Sequence, residues 1–375
     1  MIEVVSIVLN NFTNDSRVLK ENISLKNAGY DVQVVGLHQE PLDEFDEVQG
    51  ISVHRVKLST MNWSKNLLAS FVKYMEWTYK IVKTYKSSDI IHCNDLNTLH
   101  IGVISKLFNK KLKVVYDAHE YETEIDGLSG IRKKLSKLSE KFLIRYADRV
   151  ITVSNAIADE YVKLYDIEKP LLVLNTPPYK TIEKKNIFRE TLNIDEDKII
   201  FLYQGGLSGG RGIEILVDAF KMIDNKDAVI VFMGYGSLEK MIVDASEEYE
   251  NIYFHKAVSP EVLLDYTCSA DFGILFYENS CLNHYYCSPN KMFEYLMAEI
   301  PVIVSNLYEM KRLVETKEIG VVAEENSANG LKEAIEKAVQ LDSKVLEKKI
   351  EEVKSIYNWE EQEKILIDVY RGLYE

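Results

Sequence analysis

The sequence predicts an α/β protein made of two doubly wound, parallel-sheet domains in tandem. Three observations predict it. Short runs rich in Val and Ile alternate with helix-period stretches in both halves of the chain. The alternation pauses once, over 170–197, where Pro177-Pro178 stands in a charged stretch. The 375 residues are too many for one ordinary core and about right for two. In the first half, residues 2–9, 31–36, 51–58, 89–93, 113–116 and 149–153 read as strands. Helical spacing covers 16–27, 66–86, 97–108, 131–146 and 155–164 between them. The second half offers strands at 199–203, 228–233, 252–255, 272–275, 302–305 and 320–323. Its helices are expected at 213–222, 260–266, 291–298, 307–315 and 328–339, and an amphipathic segment follows at 359–374. Parallel strands require right-handed crossovers. Two such domains would place a cleft between the carboxyl ends of both sheets, where ligands of open α/β folds bind.

Composition narrows the function classes. The net charge is −14, with residues 1–175 balanced at zero and the whole excess in the remainder. An acidic chain of this kind is a poor partner for nucleic acid. No run of about 18 apolar residues is present, as a membrane span would need, and residues 1–5 lack the basic region of a signal peptide. Cys93, Cys268, Cys281 and Cys287 show neither CxxC nor zinc-ligand spacing. They read as reduced thiols, which points to the cytoplasm, with a peripheral place on the inner face of the membrane left open.

The strongest local pattern is Tyr203-Gln-Gly-Gly-Leu-Ser-Gly-Gly-Arg211-Gly-Ile-Glu. A strand ends, five glycines leave the backbone bare, and a helix starts beside a cation. Glycine admits a ligand close to the main chain, helix amides favour an anion, and Arg211 can grip phosphate oxygens bidentately. The alternative is a glycine-rich turn with a surface arginine, since the spacing is neither GxGxxG nor a P-loop. A second pattern is Ser288-Pro-Asn-Lys-Met-Phe-Glu294-Tyr-Leu-Met. Ser288 or Asn290 can cap a helix here. Lys291 at a helix N-terminus opposes the macrodipole, which makes sense if an anion lies between it and the amides. Glu294, one turn on, could accept from two ribose hydroxyls; a Lys–Glu surface pair is the alternative.

Taken in order, several segments resemble the retaining glycosyltransferases of family 4, of the bacterial surface-polysaccharide type. They are Asn14-Asp-Ser-Arg-Val-Leu-Lys-Glu21, Ile91-His-Cys-Asn-Asp95, Tyr116-Asp-Ala-His119-Glu, Val153-Ser-Asn-Ala-Ile-Ala, Asn175-Thr-Pro-Pro, the glycine loop and Pro289-Asn-Lys-Met-Phe-Glu-Tyr-Leu. The resemblance implies the GT-B fold of two facing Rossmann-like domains. Residues 1–175 would form the acceptor-side domain, joined by 359–375 as a crossover helix packing back, and 176–358 the nucleotide-sugar-binding domain. It also implies a nucleoside diphosphate sugar, UDP for preference, as donor and a saccharide or lipid-linked saccharide as acceptor. His119, Arg211 and Lys291 become the catalytic group. Gly205, Gly206, Arg211, Tyr235, Val258, Asn290, Lys291 and Glu294 become the donor set, and Asn14, Asp15 and Asp95 the acceptor side. No cofactor and no metal are expected, because cations and helix dipoles would take the diphosphate charge.

Three departures from the family pattern stand out. Tyr286 occupies the place of the first acid of the E-x7-E motif that Glu294 completes. Gly205-Gly206 replaces the usual Gly-Arg, for which Lys291 would substitute. The loop 10–15 has Asn10, Asn11 and Asn14 where many relatives have glycines. A sugar-nucleotide epimerase of the same fold and a catalytically silent partner subunit therefore stay open as alternatives. Asp117, Glu120 and Glu122 are expected to raise the proton affinity of His119. His92 and Asp95 read mainly as structural, and Asp15 as the N-cap of the first helix, with Arg17 and Glu21 paired at i,i+4. Two basic amphipathic stretches remain, 63–86 and 131–146. Either their apolar residues face the core, or the two stretches meet an anionic membrane surface.

Overall fold

The computed structural model describes residues 1–225 and 227–374. The chain divides into two compact units, Met1–Val173 with Glu363–Glu375, and Leu174–Gln362.

The first unit runs β1 (Glu3–Ile7), α1 (Ser16–Asn27), β2 (Asp31–Leu37), β3 (Phe45–Val48), β4 (Ile51–Val56), α2 (Leu67–Tyr85), β5 (Ile90–Asn94), α3 (Leu96–Phe108), β6 (Lys113–Ala118), α4 (Gly130–Leu143), β7 (Arg149–Thr152), α5 (Asn155–Tyr165) and β8 (Leu171–Leu172). Among the described residues its sheet has the order β3-β4-β2-β1-β5-β6-β7-β8. Every pairing is parallel except β3 with β4. The central strands β1 and β5 are buried on both faces, as parallel strands covered by helices must be.

The second unit follows with α6 (Ile187–Leu192), β9 (Ile199–Gly206), α7 (Ile213–Met222), β10 (Ala228–Tyr235), α8 (Glu239–Glu248), β11 (Ile252–Lys256), α9 (Leu263–Thr267), β12 (Phe272–Leu275), α10 (Leu282–Tyr286), α11 (Asn290–Met297), β13 (Val302–Val304), α12 (Tyr308–Lys317), β14 (Gly320–Val322), α13 (Ala328–Ala338) and α14 (Ser343–Lys354). Its sheet is wholly parallel, in the order β11-β10-β9-β12-β13-β14. Each half is thus a doubly wound α/β layer structure, as the alternation predicts.

Elements beyond the sequence expectation are short or polar. β3 is an exposed acidic strand, joined to β4 by a turn in which Gln49 and Gly50 both have positive φ. The stretch 170–197 is not a bare linker: it holds β8 and α6, whose Phe188 is fully buried in the second core. The helix expected at 260–266 starts later, at Leu263, after a turn in which Val262 N bonds to Ser259 O.

The final helix, α15 (Trp359–Arg371), explains where the division falls. Its first turn belongs to the second unit: Trp359 N bonds to Pro177 O at 2.9 Å, and the Gln362 carboxamide accepts from Leu174 N at 2.9 Å. Its end belongs to the first: the Tyr370 hydroxyl lies 2.6 Å from His92 Nδ1, and Arg149 bonds to Gly372 O at 2.5 Å. The boundary therefore cuts the helix after Gln362 rather than before residue 359, and the other falls after Val173 rather than 175.

Arg17 on α1 is 5% exposed, so its charge must be met inside the protein. Its guanidinium holds both oxygens of Asp117 on β6 at 2.9 Å, Glu21 at 3.0 Å and Val173 O at 2.8 Å. One cation thus ties the first helix, a central strand and the end of the unit's main chain segment. Arg17→Met should lower stability by about 3–5 kcal/mol in urea denaturation, because Asp117 is left charged and buried. A change below about 1 kcal/mol would show that the pair is not structural.

Candidate active site

The end of β9 carries a cluster of polar and charged side chains. Gly205 has φ +112, a region that favours glycine, and a Cβ there would stand 2.6 Å from Lys291 Cε. The absent side chain leaves the space through which Lys291 reaches from α11. Its ammonium bonds the Tyr203 hydroxyl at 2.9 Å and lies 4.1 Å from that ring's centroid. Lys291 is only 9% exposed. Burial, and next the like charge of Arg211, pull its pKa down to about 7, with Glu294 partly offsetting them.

Arg211 enters from the glycine loop. Its guanidinium lies 5.8 Å from the Tyr277 ring centroid and 3.3 Å from that hydroxyl. The loop then turns into α7 through Gly212 at φ +68, where a Cβ would collide with Phe276 O at 1.9 Å. No side chain caps α7, which leaves the amides of its first turn to other acceptors. α11 is likewise uncapped by any side chain: Pro289 occupies its N-cap, neither Ser288 nor Asn290 does, and Asn290 is its exposed first residue. Proline fits there because it needs no donor.

Glu294, half-buried one turn along α11, accepts from Gln204 Nε2 at 2.6 Å, while the Gln204 carbonyl accepts from Thr267 at 2.8 Å. Lys291 and Glu294 are therefore not a surface pair; each has partners on β9. Gly206 lies beside Gly205, in register with the exposed Tyr235 at the end of β10. Val258 packs half-buried against the core that contains Met292 and Phe293, so it sits among apolar side chains. Tyr286, at the place of the missing acid, stacks edge-on against Tyr285 and Tyr308.

The first unit brings together a second group. His119 lies 3.2 Å from Asp117 and 3.4 Å from Asp95. Burial works against its charge, but those two carboxylates prevail and raise its pKa to about 9. The leading raising partners are thus Asp117, as expected, and Asp95, which lies far off in sequence. Burial, and next the charge of Asp95, push the Glu122 carboxyl well above the usual carboxylate range. Asp95 has φ 65 and ψ 163, strained for any residue with a Cβ. Its main chain is fixed by Asp95 N bonding to Asp117 O at 2.9 Å. Asp15 caps α1 through Val18 N and also accepts from Asn10, whose carboxamide oxygen bonds Phe12 N. These asparagine bonds hold Phe12 at positive φ without a glycine; Asn14 is exposed in the same loop. Glu21, His92 and Asp117 form a buried trio with metal-like spacing, but Arg17 already bonds Asp117 and lies 3.0 Å from Glu21, so cationic charge is supplied from within.

Sequence reasoning missed Tyr203, Gln204, Thr267 and Tyr277, which hold the three charged side chains. Only their place beside the glycine loop and at strand ends signalled them.

Two family models divide the chain between them: Glycosyltransferase Family 4 matches residues 23–176, and Glycosyl transferases group 1 matches 184–355. The chain belongs to glycosyltransferase family 4. An uncharacterized glycosyltransferase of Methanocaldococcus jannaschii is 22% identical over 363 residues, covering 92% of this chain and 90% of that protein. Among solved structures, sucrose-phosphate synthase from Thermosynechococcus elongatus superposes with a TM-score of 0.82 at 18% identity, over 100% of this chain and 99% of that one. Anabaena HepE, solved in complex with UDP, gives 0.75 at 14% identity over 100% of both chains. These likenesses show that the glycosyltransferase has the GT-B fold. Among the described residues, no helix is long and apolar enough to cross a membrane.

The depressed Lys291 pKa is a stability cost, fully present below about pH 7 and relieved as pH rises toward 10.5. Lys291→Met should therefore stabilise the ligand-free glycosyltransferase by on the order of 2–4 kcal/mol at pH 6–7, with the gain shrinking toward pH 10. Thermal melts across that range check the sign; a gain that grows with pH would contradict it.

Proposed function

We propose that this glycosyltransferase is a retaining enzyme that takes a hexose-type sugar from a nucleoside diphosphate, UDP for preference. The sugar goes to a saccharide or lipid-linked saccharide in bacterial surface-polysaccharide synthesis. One observation carries the reading. Two cations, Lys291 and Arg211, and a half-buried carboxylate, Glu294, gather at the end of one strand beside the uncapped starts of α7 and α11. Cations with free helix amides suit a diphosphate, and a carboxylate suits paired ribose hydroxyls. The UDP complex of Anabaena HepE, which shares the fold, supports the choice of nucleotide.

The chemical difficulty is departure of a doubly charged diphosphate while the anomeric carbon turns cationic. Arg211, Lys291 and the amides of the glycine loop would stabilise the leaving charge in a site already arranged before reaction. An anion beside Lys291 also restores the proton that burial weakens, so diphosphate binding and lysine charge reinforce each other. On this reading the leaving phosphate takes the acceptor's proton from the same face, which gives retention. His119, charged at neutral pH, orients the donor sugar, and Asn14, Asp15 and Asp95 belong to the acceptor side. Gly205, Gly206, Tyr235 and Asn290 lie around the donor, and Val258 supports it from the core.

Calorimetry with a nucleoside diphosphate and with its sugar nucleotide tests the donor assignment. Arg211→Ala and Glu294→Ala should each weaken both ligands by about 1.5–3 kcal/mol. Equal loss on both ligands identifies a ribose contact for Glu294. Loss confined to the sugar nucleotide would place that carboxylate on the sugar instead.

Because protein cations face the diphosphate, no metal is needed in this scheme. EDTA should leave sugar transfer within about two-fold of its untreated rate. Activity that vanishes with chelator and returns with magnesium would refute the proposed charge balance.

A further inference from the structure

The helices α2, α3 and α4 lie side by side on one face of the first sheet, with α3 in the middle. Their outer surface is unusual for a chain with net charge −14. α4 turns its apolar stripe away from the core: Ile131, Leu135, Leu138 and Phe142 are 60–76% exposed, and Glu140 is its only fully buried residue. Of the two readings the sequence left open for this stripe, packing against the core is thus excluded. α2 divides its apolar residues. Trp77 and Ile81 pack inward, while Leu67, Phe71, Met75 and Tyr79 form an exposed ridge at four-residue spacing. Between the two ridges, Leu107 and Phe108 at the end of α3 are also exposed, with Lys86 5.3 Å from the Phe108 ring centroid.

Charge on this surface has one sign. Segments 63–86 and 130–146 hold eleven Lys and Arg and only two acids, Glu76 and Glu140. Both acids are drawn off the surface. Glu76 bonds Ser59 N and Thr60, and Glu140 accepts from the buried hydroxyls of Tyr116, Tyr161 and Tyr165. Lys133 and Lys137 are matched by Glu124, but Arg132, Lys134, Lys141 and Arg145 stand exposed beside the apolar stripe.

We propose that this face of α2, α3 and α4 docks on an anionic lipid bilayer. Apolar ridges flanked by exposed cations, with the carboxylates turned inward, match a headgroup layer of negative charge above acyl chains. A neutral apolar partner would not account for the one-sided charge, and a second copy would set like charges against each other.

Flotation of the full chain with about 3:1 phosphatidylcholine–phosphatidylglycerol vesicles, and with pure phosphatidylcholine, tests this. Binding should require the anionic lipid and fall with salt. The triple variant Arg132→Gln/Lys134→Gln/Lys141→Gln should bind about a hundred-fold more weakly, about five-fold per cation. Leu135→Ser/Leu138→Ser/Phe142→Ser should lose at least about ten-fold. All six side chains are exposed, so the melting temperatures should match the wild type. Equal binding to neutral vesicles, or none to either, overturns the proposal. So does a wild-type dimer in light scattering that the serine variant converts to monomer. Neither readout depends on donor turnover, so the assignment of the nucleotide site stands or falls separately.

Discussion

A chain of ionisable groups in the first unit is arranged around the buried guanidinium of Arg17. Arg17 would be prohibitively costly inside a core if Asp117 did not take it bidentately and Val173 O did not use a further donor, with Glu21 3.0 Å away. The pairing has effects beyond the pair. Burial works against the Asp117 carboxylate, yet Arg17 and then His119 hold it well below the usual range, so it stays charged. A permanently charged Asp117 in turn keeps His119 protonated. Glu21, in the same pocket, is pushed by burial to about 8 and carries a proton at neutral pH. The net result is a buried array in which each ionisation is set by its neighbours, and the outermost member, His119, is a dependable hydrogen-bond donor.

The second unit solves the complementary problem of leaving positive charge unspent. Arg211 and Lys291 are accompanied mainly by tyrosines, Tyr203 and Tyr277, whose hydroxyls and ring faces accept a cation without neutralising it. A carboxylate partner would have been better for the empty protein and worse for an incoming anion. Gly205 is part of the same arrangement, because any side chain there would displace the lysine. The family's Gly-Arg is Gly205-Gly206 here, and the cation beside the vacated position is Arg211 of the glycine loop, 3.8 Å from where a Gly206 Cβ would stand, while Lys291 fills the space beside Gly205.

The architecture was legible because parallel strands covered on both faces read as unbroken apolar runs. β9 and β10 are of this kind, each a cluster of Val, Ile, Leu and Phe, while β1 and β5 show it as Val4-Val5 and Ile90-Ile91. Short or half-exposed elements such as β3, β8 and α10 have no periodicity long enough to recognise. Arg211, Lys291 and Glu294 were legible because glycines and an oddly placed lysine break local rules. Their partners were not. Gln204 and Thr267 are 63 positions apart, and nothing local in either residue foretells the bond between them. The same holds for Asp95 and His119, which only the sheet brings together. For α4 the sequence showed amphipathicity but not direction: helical spacing says that one face is apolar, never which way it points.

The split membership of α15 has a bearing on how the molecule is made. The first unit is discontinuous, with residues 363–375 closing a structure begun at residue 1, whereas the second is one unbroken stretch. On the ribosome, synthesis of residues 174–362 takes about 10–40 s at roughly 5–20 residues per second. Throughout that interval the nascent first sheet has no Tyr370 against His92 and no Gly372 carbonyl for Arg149. The second unit is finished at Gln362, and the 13 residues that close the first follow it. The part of the chain that is translated first is therefore the last to be completed.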